Sequence, residues 1–388
     1  MSSSDARDQA LRALAARGDA EALTLTRRWV EQNSYTDNVQ GTDAVGAMLV
    51  DAFALPSLAH EAIASPRFAA HHVWRTPAAR APGAKPILLI GHHDTVFPPG
   101  HFEGWKEEGG KAIGPGSLDM KGGLAIVRSA LAALDDAGLL AALPLIVVSV
   151  ADEEVGSPDS APHLKALAQG ARAALVFESG RANDLIVTRR KGTGAIAAVA
   201  SGKAAHAGNA HPEGKNAIWA IARFVDAAQR LTAYERGVTV NVGMISGGTS
   251  KNTVPAEARA QLDLRFETTA DAHALVAALR AAAAEAAAEV PGTTIHLEGG
   301  PNRLPLERTA ESAALLEAYA ACQRDEGLGD GESPLCGGGS DANTVAAVGV
   351  PAIDGLGPRG QGFHTLKEFV ELASFAPKTR ALVRFLTR

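Results

Sequence analysis

Three short and almost wholly apolar runs constrain this chain most: Ile87-Leu88-Leu89-Ile90, Leu145-Ile146-Val147-Val148-Ser149-Val150 and Ala173-Ala174-Leu175-Val176-Phe177. A strand that is apolar at nearly every position, rather than at alternate ones, must be covered on both faces. That points to a mainly parallel sheet packed between helices. Helical periodicity over residues 10–30, and again over 121–139 after Gly122-Gly123, supplies the covering layers. In such sheets ligands bind beyond the carboxyl ends of the strands. The residues that follow each run are therefore where chemistry should be sought.

Near Gly192 the pattern changes. Residues 195–200, 238–245, 258–266 and 293–297 are strand-like, while 216–231 and the alanine-rich 270–290 are helical. The order is β-α-β-β-α-β, the ferredoxin-like pattern of a self-contained unit. After Pro301 the helix-strand-helix pattern of the first part returns. The reading is an α/β catalytic domain in two parts, 1–193 and 301–388, with an inserted ferredoxin-like α+β domain over 194–300. A chain of 388 residues with 46% hydrophobic and 21% charged residues can bury cores of this size. Its net charge of −6 argues against a nucleic-acid partner. Two cysteines, Cys322 and Cys336, in no C-x-x-C pair, read as reduced thiols of a cytoplasmic protein. The start, Met1-Ser2-Ser3-Ser4-Asp5-Ala6-Arg7-Asp8, lacks the basic-then-apolar order of a secretory leader, and no run is long enough to span a membrane.

Five segments carry polar groups at or between the expected strand ends. His92 and Asp94 follow the first run. Alternation along an extended segment turns them to one side and His93 to the other, which suits a metal-ligating His92 oriented by Asp94. Taken singly, such an H-x-D is ordinarily a hydrogen-bonded surface histidine. Asp119 lies in a glycine-rich turn just before a helix, where a lone aspartate is ordinarily an N-cap. Glu153 and Glu154 follow the second run. Adjacent acids are usually a solvated turn, yet at the mouth of a sheet one can ligate a metal while the other acts as a base. Glu178 follows the third run, and His364 stands near the C-terminus; each alone would be structural. Together they form a mixed histidine–carboxylate set that suits zinc, with cobalt or manganese as alternatives. One shared aspartate, with a histidine and a glutamate on each side, makes a pair of metal sites about 3.5–4 Å apart.

These motifs, in order and over nearly the whole chain, resemble the zinc hydrolase family of carboxypeptidase G, succinyl-diaminopimelate desuccinylase, acetylornithine deacetylase and the aminoacylases. The resemblance implies that His92 and Glu178 hold one Zn2+ and Glu154 and His364 the other. Asp119 would bridge them, Glu153 would be the general base, and Asp94 would orient His92. It implies that the insertion is a lid and dimerisation domain. Within Gly202-Lys203-Ala204-Ala205-His206-Ala207-Gly208, His206 would stabilise the oxyanion across a homodimer. Asn252 and Arg265 would bind substrate, and Gly338, Gly339 and Ser340, in Cys336-Gly337-Gly338-Gly339-Ser340-Asp341, would hold its carboxylate. That loop and Asp152-Glu153-Glu154-Val155-Gly156-Ser157 look most like carboxypeptidase G.

The expected activity is therefore hydrolysis of the amide bond of a small peptide or N-acyl amino acid with a free carboxylate, as in a glutamate-type carboxypeptidase. The specificity pocket carries no assignable motif, although Arg189, Arg190, Lys191 and Arg303 could meet an acidic side chain. An N-acyl-amino-acid deacylase is the alternative with the same machinery. An inert binding protein of the same fold would require lost ligands or a lost base, and none is lost.

Overall fold

The computed structural model describes residues 3–18 and 20–388. Met1 and Ser2, at the start read as lacking a leader, and Asp19, within the 10–30 span, lie outside the described residues. The chain divides into two compact units. One comprises Met1–Arg189, Arg308–Leu335 and Ser340–Arg388, the other Arg190–Glu307 and Cys336–Gly339.

The first unit begins with three helices, α1 (Ser3–Arg17), α2 (Glu21–Val30) and α3 (Val39–Ala52). Then come the strands β1 (Ala59–Ile63), β2 (His71–Arg75), β3 (Ile87–His92), β4 (Lys106–Glu108) and β5 (Lys111–Ile113). Helix α4 (Gly122–Asp136), β6 (Leu145–Val150), α5 (Ser160–Ala168) and β7 (Ala173–Val176) follow. The second unit holds β8 (Gly192–Ser201), β9 (Ala205–His206), α6 (Ala217–Gln229), β10 (Thr239–Gly247), β11 (Thr253–Val254), β12 (Glu257–Phe266), α7 (Thr269–Glu289) and β13 (Thr294–Arg303). The chain returns to the first unit through α8 (Ala310–Arg324), α9 (Asp341–Ala346), β14 (Ala352–Ile353), β15 (Gly360–Gln361), β16 (Phe369–Glu371) and α10 (Phe375–Leu386).

The three apolar runs are β3, β6 and β7, and every residue in them is buried. The main sheet has the order β1-β2-β6-β3-β7-β14. β3 is parallel to both β6 and β7, and β14 is parallel to β7. The antiparallel pair β1 and β2 extends one edge. Its signal is weak in the sequence because His71-His72 reads as polar, yet all but the last residue of β2 are buried. Helix α4 is buried at nearly every position and lies over the sheet. It comes very close: a Cβ on Gly123 would stand 2.0 Å from the Phe177 carbonyl oxygen, so only glycine fits there. Because β3, β6 and β7 are parallel and in register, with His92 opposite Val150, their carboxyl ends open side by side.

A small antiparallel sheet, β15-β16-β5-β4, has no clear signal in the sequence. It sets Phe369 beside Ile113, so the turn before β16 and the loop after β5 leave the ladder together. The second unit has one antiparallel sheet, β10-β12-β8-β13, with α6 and α7 between its strands in chain order. This is the β-α-β-β-α-β arrangement expected from the sequence. β8 and β12 bury alternate residues, as strands with one face on a core do. That core is built around Ile196, Phe224, Leu262, Leu264 and Leu279.

Candidate active site

The expected ligands of the first unit converge at the mouth of the sheet. His92 ends β3 and is buried. Its Nε2 lies 3.3 Å from Asp119 Oδ1 and 3.7 Å from Glu178 Oε1. His364 places its Nε2 3.3 Å from Asp119 Oδ2 and 3.0 Å from Glu154 Oε2. The two oxygens of Asp119 thus face different histidines. Ligand atoms of His92, Asp119 and Glu178 form one group within 4.8 Å, and those of Asp119, Glu154 and His364 form another.

Each side chain is aimed by its local backbone. Gly116, left-handed at φ 72°, starts the tight turn over Ser117–Lys121 that presents Asp119 just before α4. His364 itself has φ 61°, an uncommon conformation for a residue with a Cβ and one that recurs at functional turns. The acid run after β6 has three distinct fates. Asp152 caps α5, accepting from the Asp159 and Ser160 N–H groups at 2.8 and 3.1 Å. Glu153 is buried. Glu154 meets His364.

Asp94 meets more than His92. One of its oxygens lies 3.3 Å from His92 Nδ1. Its carboxylate also accepts from the Glu153 and Glu154 N–H groups at 3.3 and 3.2 Å and from the Thr36 hydroxyl at 2.8 Å. One buried aspartate therefore fixes a histidine and the turn that bears two glutamates. His93 points away, with its Nδ1 2.9 Å from the Ser149 hydroxyl. Burial and the neighbouring His72 hold His93 well below the usual histidine range, so it is a neutral core residue.

The electrostatics are those of a site short of positive charge. Burial, then the charge of Asp119, pushes Glu154 up to about 8. The same causes push Glu178 well above the usual carboxylate range. Glu153 adds its own repulsion to both. Burial disfavours the charged form of His92, but Glu178, Asp119 and Asp94 outweigh it and hold the imidazole well above its usual range. Hydrogen bonds to Asp119 and Glu154 raise His364 to about 11. Burial would raise Asp119, yet its bonds to His364 and His92 win and keep it low. Three carboxylates facing two imidazoles, mostly buried, make a donor set that fits divalent cations of the zinc, cobalt or manganese type.

The remaining predicted residues sit elsewhere in the chain's architecture. His206, Asn252 and Arg265 belong to the second unit, as do Gly338 and Gly339. His206 is exposed, and its Nδ1 accepts from the Gly208 and Asn209 N–H groups, both at 3.1 Å. Asn252 accepts from the Ser250 hydroxyl at 2.9 Å. Arg265 makes a two-pronged pair with Asp263, both bonds 2.9 Å. The Gly338 carbonyl accepts from Arg190 at 3.2 Å. Ser340 lies in the first unit and is buried as the cap of α9. Its hydroxyl donates to Asp354 at 2.6 Å and its N–H to Asn343 at 3.0 Å. Thr36 and Glu368 carry no signal in the sequence, yet both touch the site. Glu368 is buried, accepts from the Leu118 and Asp119 N–H groups, and is pushed up to about 8 by burial and by Asp119.

Comparison with known proteins decides the family. Residues 88–388 match the sequence profile of Peptidase family M20/M25/M40. The chain belongs to this family. It is similar to carboxypeptidase G2 from Pseudomonas sp. (strain RS-16), 29% identical over 310 residues, 78% of this chain and 74% of the relative. Succinyl-diaminopimelate desuccinylase from Xanthomonas oryzae pv. oryzae is 28% identical, covering 78% of this chain and 82% of the relative. Among solved structures, a tripeptidase from Staphylococcus aureus superposes with a TM-score of 0.78 at 20% identity, covering 95% of this chain and 98% of its own. An M20 metallo-carboxypeptidase from Sulfolobus solfataricus gives 0.71 at 17% identity over 95% and 98%. The structural likenesses establish the M20 fold, and family membership with the candidate metal cluster makes the chain a hydrolase of amide bonds. Among the described residues no helix is long and apolar enough to cross a membrane.

Proposed function

We propose that this M20 hydrolase is a two-zinc carboxypeptidase that releases a C-terminal amino acid bearing a free carboxylate, of the glutamate type, from a peptidyl or acyl group. The observation that carries the reading is Asp119, with one oxygen toward His92 and the other toward His364. His92 and Glu178 would hold one cation, Glu154 and His364 the other, and Asp119 both. When bound, the cations supply positive charge that polarises the scissile carbonyl and acidifies the attacking water. Loading them displaces the protons that the raised His92, His364, Glu154 and Glu178 otherwise retain.

Glu153 serves as the general base. It takes the proton of the attacking water and returns it to the leaving nitrogen, so the amide C–N bond breaks and a C–O bond forms. Its burial and the hold of Asp94 on its backbone keep it in place. His206 suits an oxyanion donor because the Gly208 and Asn209 N–H groups both use its Nδ1 as acceptor, which leaves the proton on Nε2. Arg265 would exchange Asp263 for the substrate carboxylate, a partner of the same shape. Asn252, Gly338 and Gly339 would add polar contacts, and Ser340 would shape the glycine loop through its cap.

We assign the inserted unit a lid and dimerisation role. Its edge strand β10 carries Met244 and Ile245 at 64% and 58% exposure, and α6 carries Trp219 at 56%. A sheet edge with exposed apolar groups is costly for a lone chain and natural for a homodimer. His206 would then act in trans. The free thiols Cys322 and Cys336 fit a cytoplasmic enzyme. The second reading, an N-acyl-amino-acid deacylase, rests on the desuccinylase relatives and on acetylornithine deacetylase of Myxococcus xanthus, 32% identical over 201 residues and 47% of this chain. A panel of dipeptides and N-acyl amino acids with varied C-terminal residues, assayed with zinc by release of free amine, separates the two. Cleavage of acidic C-terminal dipeptides supports the carboxypeptidase; cleavage of acetyl or succinyl amides alone supports the deacylase.

A further inference from the structure

Glu368 stands between the two loops that carry Asp119 and His364. It follows His364 by four residues and immediately precedes β16. Its own N–H donates to the Thr365 carbonyl at 3.1 Å, which ties it into the His364 turn. Its Oε1 accepts from the Leu118 N–H at 2.8 Å and from the Asp119 N–H at 3.1 Å, across about 250 residues of chain. The two loops leave the β5–β16 ladder at adjacent positions. Glu368 is fully buried, and burying a polar carboxyl group is costly unless it is hydrogen-bonded. Two backbone donors on one oxygen are such bonds. Around the same turn the Leu118 carbonyl accepts from Ser179 at 3.4 Å. The neighbouring Lys121 is anchored to the Trp29 and Gln32 carbonyls at 3.0 and 3.1 Å.

We infer that Glu368 is a positioning residue that locks the bridging carboxylate Asp119 to the ligand His364, and so sets the geometry of the cation site formed by Asp119, Glu154 and His364. The inference rests on the two-cation reading above. Glu368 belongs to neither candidate ligand group; it grips the backbone of one ligand and is part of the turn of the other. Remove the grip, and the Leu118 and Asp119 N–H groups each lose a fixed hydrogen bond while the His364 turn loses its side-chain tie to that segment. The 3.3 Å approach of His364 Nε2 to Asp119 Oδ2 then loses its side-chain strut, and the backbone ties of the β5–β16 ladder and of the Gly114 N–H to the Glu368 carbonyl are what remain between the loops. A glutamine in its place keeps an acceptor oxygen of the same reach.

The test compares Glu368→Gln and Glu368→Ala in the full chain. Zinc affinity is measured by calorimetry, and amide hydrogen exchange is followed in the metal-free protein over 114–121 and 362–368. In Glu368→Ala one zinc should weaken by roughly the 10–100-fold typical of losing a residue that orients a ligand, with the other held much more closely to wild type. Exchange should quicken in both segments and in neither flanking strand of the main sheet. Glu368→Gln should restore the second zinc and the slow exchange. The inference is overturned if Glu368→Ala binds two zinc ions as wild type does with unchanged exchange, or if Glu368→Gln behaves like Glu368→Ala. Should Glu368→Ala fail to fold, the Gln variant alone decides, because retained exchange protection and both zinc affinities are required of it. If wild type binds fewer than two zinc ions, the two-cation reading fails. The exchange comparison still tells whether Glu368 joins the two segments.

Discussion

The functional groups of the two units are held in opposite ways. In the first unit the candidate ligands are bonded to one another and to side chains far away in sequence: His92 to Asp119 across 27 residues, Asp94 to Thr36 across 58. In the second unit the groups assigned to substrate are bonded to near neighbours. His206 takes N–H groups two and three residues on, Asn252 takes Ser250, and Arg265 takes Asp263. Long-range bonds mean that the tertiary fold itself brings the cluster together. Local bonds leave a side chain presentable at the surface, with a partner it can exchange. On the proposed reading, a preorganised candidate metal cradle and an exchangeable set of substrate contacts would divide the labour of an amide hydrolase in a physically sensible way.

The largest effect should come from the buried cluster without disturbing its cations. Glu153→Gln keeps the shape and removes the base, so kcat should fall by roughly 10²–10⁴ while zinc content per chain stays at the wild-type value. Near-normal turnover would move the base elsewhere. Next is the exposed histidine. His206→Ala should lower kcat by about 10²–10³, or about 3–4 kcal/mol, as expected for one oxyanion donor, and leave zinc affinity untouched. Mixed dimers of His206→Ala and Glu153→Gln chains should recover part of the activity, because one of the two sites then has both groups. Verified hybrids with no recovery would place His206 outside the partner's site.

Cation loading should follow pH in the direction set by the cluster. Without cations His364 is raised to about 11 and Glu154 to about 8, so both carry protons at pH 7. Binding must expel those protons; apparent zinc affinity should therefore fall as pH falls, by about tenfold per pH unit for each proton displaced. Calorimetry in buffers of different ionisation enthalpy reads the protons released at pH 7, and a count of zero would contradict the coupling. The smallest effect belongs to the exchangeable arginine. Arg265→Lys should raise KM by about tenfold with little change in kcat, because lysine cannot offer the fork. An amidated substrate should lose the same advantage in wild type. Equal cleavage of amide and free acid would remove the carboxylate requirement.

What can be read from the sequence follows the same division. His92, Glu154 and Glu178 are legible because fully apolar strands announce a sheet mouth, and polar residues just beyond it have few other reasons to cluster. The β-α-β-β-α-β order is legible because alternation in 258–266 and an alanine-rich helix are local signals. Glu368 and Thr36 are invisible for the opposite reason. Each acts through a contact with a segment distant in sequence, and in sequence each looks like an ordinary polar turn residue. The antiparallel edge β1–β2 is hidden because buried histidines in β2 mimic a surface strand. The Arg265–Asp263 pair is within reach of the sequence, since residues two apart on a strand share a face.

The central claim is that one carboxylate, Asp119, serves two cation sites. Native mass spectrometry of zinc-loaded wild type and of Asp119→Ala, at matched free zinc, tests it most directly. The account predicts two zinc ions per chain in wild type and loss of both tight sites in Asp119→Ala, with the fold retained. A wild type that holds a single zinc, or an Asp119→Ala chain that still holds two, would contradict it.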